Sequence, residues 1–167
     1  VPVLVVGEPG TGKRIVARAI HQRGLSPDSP LIPFDCEALP CEVLERELFG
    51  GHADSGDPAV LVPEGATLLL AHVLHLPRDL QVRLAASLDQ PFRLIATSTQ
   101  PPDDALRSER VHPDLFFALT PLVIRLYPLR ERITEISLFA QHLLERANQR
   151  GLRQQKGFTA EALSVLE

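Results

Sequence analysis

Five short apolar runs punctuate the chain: VPVLVVG (1–7), LIPFDC (31–36), ATLLLAHV (66–73), FRLIATST (92–99) and LVIRLYPL (122–129). Between them the apolar positions spread to a helical period. Leu80, Leu84 and Leu88 recur every four residues after Pro77, and Ile133, Ile136, Phe139, Leu143 and Ala147 repeat similarly, so both stretches predict amphipathic helices. Near-continuous apolar strands alternating with helices predict an α/β fold, a parallel sheet covered on both faces. A further helix is predicted to start at Gly12-Lys13. Gly151 stops the helix from Ile133, and the polar stretch RQQKG leads to a last helix near Thr159.

Composition narrows this picture. A chain of 167 residues with 44% hydrophobic content has the size and core-forming capacity of one compact α/β domain. A net charge of −4 leaves no basic footprint for wrapping nucleic acid, which disfavours direct DNA binding by this segment. Cys36 and Cys41 form no CxxC pair, so neither a disulfide framework nor a zinc knuckle is expected, and Cys36 is expected to pack rather than react. No apolar run approaches the roughly 20 residues that span a bilayer, and VPVLVVG lacks the basic flank of a signal peptide. The expectation is a soluble cytoplasmic protein that makes no membrane contact. Val1 opens directly on a strand and Glu167 falls within a helical pattern, so the chain is expected to be part of a longer one.

Gly7-Glu8-Pro9-Gly10-Thr11-Gly12-Lys13 matches GxxxxGK, after an apolar strand and at the opening of a helix, where a phosphate-binding loop belongs. Its glycines let successive backbone N–H groups turn inward around phosphate oxygens, the helix N-terminus adds its positive end, and Lys13 is placed to reach the β- and γ-phosphates. ATP or ADP is therefore the expected ligand. The next position commonly supplies a hydroxyl to Mg2+, but here it is Arg14, a cation that cannot ligate a cation, which puts metal binding in doubt. Two readings of Arg14 stay open: a solvated helix arginine, or a guanidinium that itself neutralises phosphate charge.

GEPGTGKRIVARAIH, FDCEALP, LERELFG, EGATLLLAHV, LQVRL, RLIATST, HPDLFFAL and PLRERITEI follow one another in order along nearly the whole chain. This series resembles the AAA+ domain of bacterial sigma-54 activators, the enhancer-binding transcription regulators. The resemblance implies a P-loop AAA+ three-layer domain with a five-stranded parallel sheet of order 5-1-4-3-2. It implies an α/β nucleotide-binding core over residues 1–151, the start of an incomplete helical lid over 152–167, and receiver and helix-turn-helix domains outside this segment. It also implies self-association through the AAA+ surface, a partner in RNA polymerase carrying sigma-54, and DNA contact only through another domain.

The departures from that pattern cluster on catalysis. Where the family's third strand ends in Asp-Glu, for magnesium and for activating water, this chain has Ala71 and His72. The family's switch asparagine aligns with Asp35, its sensor asparagine with Thr99, and its finger arginines with His112 and Ala118. The GAFTGA motif that contacts sigma-54 is missing from GHADSGDPAVLVP, and Asp89-Gln90 runs straight into PFRLIATST where the family inserts a hairpin. Losing a general base typically removes roughly 10² to 10⁴ in rate, and losing an arginine finger roughly 10³ to 10⁵. The leading expectation is thus a nucleotide-binding regulatory module with little or no hydrolysis. The alternatives are an active ATPase with compensating residues, such as His72 with Asp35, or compensating subunits, and a scaffold that binds no nucleotide.

Weaker constellations read as structure. His72 and His75 lie three residues apart, but a strand would turn them to opposite faces, so no metal pair is expected. Arg130, Glu131, Arg132 and Glu135 form either a charged surface or, by resemblance, part of a hinge near the nucleotide. Asp103-Asp104, after Pro101-Pro102, reads as a solvated loop.

Overall fold

The β-branched and leucine-rich runs form the strands of a computed structural model that describes residues 1–24, 26–50, 60–151 and 155–166. The strands are β1 (Val3–Gly7), β2 (Leu31–Asp35), β3 (Thr67–Ala71), β4 (Arg93–Ser98) and β5 (Val123–Leu126). All neighbouring pairs are parallel and the order is β2-β3-β4-β1-β5, the expected 5-1-4-3-2 arrangement counted from the other edge. The helices are α1 (Lys13–Gln22), α2 (Cys41–Phe49), α3 (Arg78–Ala86), α4 (Pro102–Arg107), α5 (Pro113–Leu119), α6 (Ile136–Arg150) and α7 (Ala160–Leu166).

Alternation along each strand divides the core into two layers, because successive side chains leave a strand on opposite faces. Leu4, Val6, Leu68, Leu70, Leu94 and Ala96 pack with Leu44 and Leu48 of α2, Leu80 and Leu84 of α3, and Leu115 and Leu119 of α5. Val3, Val5, Leu69 and Ile95 meet Ala17, Val16 and Ile20 of α1 on the other face. Full burial of such a side chain is worth roughly 1.5–3 kcal/mol, so these two layers hold the strand ends in register. That register sets Asp35 beside Ala71 and Val6 beside Ser98, gathering the chemistry at the carboxyl edge of the sheet.

Three local expectations are corrected. The third strand ends at Ala71, where the apolar run is expected to stop, but His72 then adopts φ 55° and a 3-10 turn follows over Val73–His75. His72 and His75 are therefore not on opposite faces of a strand, and their rings lie 6.1 Å apart, edge to face. Asp103 and Asp104 are in the first turn of α4, where carboxylates meet the positive end of the helix. The helix expected from Ile133 begins at Ile136, after 3-10 turns over Leu129–Glu131 and Ile133–Glu135. The three-residue period of such a turn takes Ile133, 48% exposed, off the helical stripe.

Residues 87–92 link α3 to β4 by a tight turn in which Gln90 N donates to Ser87 O and Phe92 N to Gln90 O, so no hairpin intervenes. The segment in which the sigma-54 contact motif would fall, 51–59, lies outside the described residues.

The chain divides into two compact units, Val1–Leu126 and Tyr127–Glu167, so the expected core-to-lid boundary at 151/152 falls within the second. Within that second unit, Arg132 donates to Glu135 Oε2 at 3.4 Å and lies over the Phe139 ring, and Asn148 pairs through both amide atoms with the Gln155 backbone. Thr159 Oγ1 accepts from Ala162 N and starts α7. No helix among the described residues is long and apolar enough to cross a membrane.

Candidate functional site

Glycine is required at the end of β1 for reasons of space. A Cβ on Gly7 would stand 2.7 Å from Leu126 O and 2.8 Å from Thr11 Oγ1, closer than any side chain tolerates. Gly10 and Gly12 then take φ 81° and 90°, left-handed values that other residues rarely adopt. Thr11 Oγ1 donates to Glu8 O at 2.8 Å and tightens the turn. Gly12 is the N-cap of α1 with no side-chain cap, so no side chain competes with an anion for the first amides of the helix.

Lys13 is only 7% exposed, and its Nζ donates to Gly7 O at 2.7 Å and Glu8 O at 2.8 Å. Burial lowers its pKa from the ordinary lysine value. The ammonium thus lies across the loop whose amides surround a phosphate in proteins with this motif.

A second cluster forms where β2 and β3 end. Ala71 is 3% exposed, packs as core and offers no donor or acceptor from its side chain. His72 leaves the strand in the left-handed conformation, its N–H donating to Thr97 Oγ1 at 3.2 Å. Its Nδ1 lies 3.0 Å from Asp35 Oδ1 and 3.2 Å from Glu37 Oε2. Asp35 Oδ1 also accepts from Glu37 N at 3.1 Å, and Asp35 Oδ2 pairs with Arg14 Nη2. Partial burial pushes the Asp35 pKa up, but the hydrogen bonds from His72 and Glu37 N and the charge of Arg14 outweigh it and hold the carboxyl below its ordinary value. Arg14, 54% exposed, also stands at the rim of an open cleft of about 230 Å³ that Arg18, Phe34, Leu69 and Ala71 help to line.

The remaining aligned positions stand apart from this cluster or carry no charge. Thr99 is exposed just beyond β4, whereas Thr97, which the sequence did not single out, is buried and holds His72 in place. His112 caps α5 by accepting from Asp114 N at 3.3 Å, and its own N–H donates to Gln81 Oε1 at 2.7 Å. The buried Gln81 also donates to Leu76 O and Arg110 O, clamping the loop before α5. Ala118 supplies no polar atom. Cys36, buried beside Asp35, has its thiol pKa pushed up to about 12 by burial and then by that carboxylate, so it packs and does not react. Glu37 and Thr97 escaped the sequence reading; only the spacing of Glu37 two residues after Asp35, typical of an Asx turn, offered a signal.

The donor set at this strand edge is a poor match for Mg2+. Arg14 is a cation, Ala71 has no ligating atom, and both oxygens of Asp35 are engaged by Arg14, His72 and Glu37 N. Among the described residues no group of three His, Cys, Asp or Glu side chains is arranged to hold a metal ion. The residues present do not fit the cation.

Comparison with known proteins agrees with the loop and the sheet order. The sequence profile of the sigma-54 interaction domain matches residues 1–125. The transcriptional regulatory protein ZraR of Salmonella typhimurium is 31% identical over 185 residues, which cover 98% of this chain and 42% of ZraR. The chain thus spans less than half the length of that relative. NtrX from Brucella abortus in complex with ADP superposes with a TM-score of 0.78 at 23% identity, over 98% of this chain and 41% of NtrX. The P-loop NTPase domain of a sigma-54 activator from E. coli gives a TM-score of 0.58 at 24% identity, over 77% of this chain and 84% of that one. With its phosphate loop opening α1 and its five strands in the 5-1-4-3-2 order, the chain belongs to the sigma-54 interaction domain family.

Proposed function

We propose that this chain is the nucleotide-binding regulatory module of a bacterial transcription regulator, holding ATP or ADP to set conformation or assembly while hydrolysing little or none. One observation carries the reading. The loop Gly7–Lys13 has left-handed glycines at 10 and 12, no room for a side chain at Gly7 and Lys13 seated on its carbonyls, while the adjoining strand end presents a buried alanine and a histidine already engaged by two carboxylates. Ground-state phosphate binding depends on amides, a helix terminus and Lys13, none of which needs an acid at Ala71. Water activation needs such an acid, and charge stabilisation needs a guanidinium that His112 and Ala118 do not supply. The ADP bound to NtrX supports the choice of ligand.

Association with other copies, inability to remodel sigma-54 polymerase through the usual loop, DNA binding through a domain outside this segment and residence in the cytoplasm belong to the same proposal. Isothermal titration with ATP and with ADP is the test. Binding of either, with phosphate release at background, is the expected result; no heat from either in a folded sample would leave the scaffold reading instead.

A second reading, an active ATPase, has the Asp35–His72 pair in its favour. A carboxylate oxygen 3.0 Å from Nδ1 is the arrangement that orients an imidazole so that its other nitrogen can take a proton. Phosphate release above background that disappears in His72→Ala would establish it.

A further inference from the structure

Arg14 is the one residue of the loop region whose chemistry the nucleotide reading has not absorbed, and its placement is unusual. It follows Lys13 directly in the first turn of α1, so two cationic residues open the helix into which the phosphate loop leads. Lys13 turns inward to the carbonyls of Gly7 and Glu8; Arg14 turns the other way, to Asp35. Asp35 is in turn fixed by His72 and by Glu37 N, and His72 by Thr97. The guanidinium is thus tethered from behind by one nitrogen. Its other N–H donors have no protein partner among the described residues, and the side chain is about half exposed.

A guanidinium so held is suited to phosphate. It is charged at every accessible pH, presents donors in a planar fork that matches phosphate oxygens, and loses little further freedom on binding because Asp35 already restricts it. The same arrangement opposes a divalent cation. Like charges repel, and the nearby carboxylate that would offset this is committed to Arg14.

We propose that Arg14 stands in for the divalent cation, so that this chain binds nucleoside di- and triphosphates by a metal-independent mode in which Lys13 and Arg14 together neutralise the phosphate charge. Asp35, His72 and Glu37 act as positioning residues that aim the guanidinium and keep the metal-ligand position closed. The inference rests on the nucleotide-binding reading above and adds to it the identity of the counter-charge.

The test is titration of the full chain with ATP and with ADP, once in excess EDTA and once with millimolar Mg2+. Dissociation constants that agree within about threefold between the two conditions are expected. Removing a charge-assisted contact weakens binding by about tenfold or more, so Arg14→Ala in EDTA is expected to show that loss, and Arg14→Lys a smaller one, with melting temperatures close to the parent's. Affinity that falls tenfold or more in EDTA for the unaltered chain, or an Arg14→Ala variant that binds like the parent, would overturn the proposal while leaving nucleotide binding intact. A folded sample that binds in neither condition would remove both readings at once.

Discussion

The loop that follows β1 and the edge where β2 and β3 end face the same chemistry and are built by different means. The loop is a backbone device: Gly7 is required by the 2.7 Å approach of Leu126 O, Gly10 and Gly12 by their positive φ, and Lys13 is seated on main-chain carbonyls. The edge is a side-chain device, in which Asp35 and Ala71 end their strands, His72 and Glu37 follow just beyond, and the contacts run between side chains. Change at the loop's glycines disturbs the fold, so at those positions nucleotide affinity and architecture are held together. Change at the edge alters what those side chains do at a more modest cost to the fold, and it is there that the resemblance leads one to expect an acid this chain lacks.

Lys13→Ala is expected to lower nucleotide affinity by on the order of a hundredfold, the loss of two charge-assisted contacts, with little change in melting temperature. Titration and a thermal melt on the same sample check it, and unaltered affinity would move the site elsewhere.

At the edge, Ala71→Asp introduces the acid that the resemblance leads one to expect, at a position that is core here. It is expected to destabilise the chain by about 1–3 kcal/mol, since the new carboxylate would be desolvated and would lie opposite Asp35 in the register. Urea denaturation gives the value; an unchanged midpoint would mean that this edge still accommodates an acid.

His72→Ala removes the hydrogen bond to Asp35 and is expected to shift the urea midpoint by the equivalent of about 1 kcal/mol. The smallest effect concerns pH. The Asp35 carboxyl has a folded pKa below its ordinary 3.8, so its contribution to stability is present above about pH 4 and is lost as the pH falls through the folded value. Asp35→Asn is therefore expected to flatten the acid limb of stability below about pH 4 and to leave its pH slope near neutrality unchanged, as unfolding curves across that range would show.

The architecture was legible because it follows from periodicity. Apolar runs such as VLVVG and TLLLA, buried on both faces, can only be central parallel strands, and GxxxxGK between a strand and a helix carries its own geometry. The site was legible residue by residue but not as a cluster. Arg14, Asp35, Glu37 and His72 meet because β2 and β3 align Asp35 with Ala71 and because the chain turns left-handed at His72. Neither fact is encoded in local pattern, and so the sequence placed His72 and His75 on opposite faces of a strand.

The amino-acid sequence alone determined the fold class, the strand order by resemblance, and the loop with its lysine, since periodicity and glycine conformation are local properties of the chain. Only the tertiary structure decided what Arg14 faces: strand register and the burial of Ala71 are set by packing between elements far apart in sequence, and they turn that guanidinium toward a carboxylate 21 positions away.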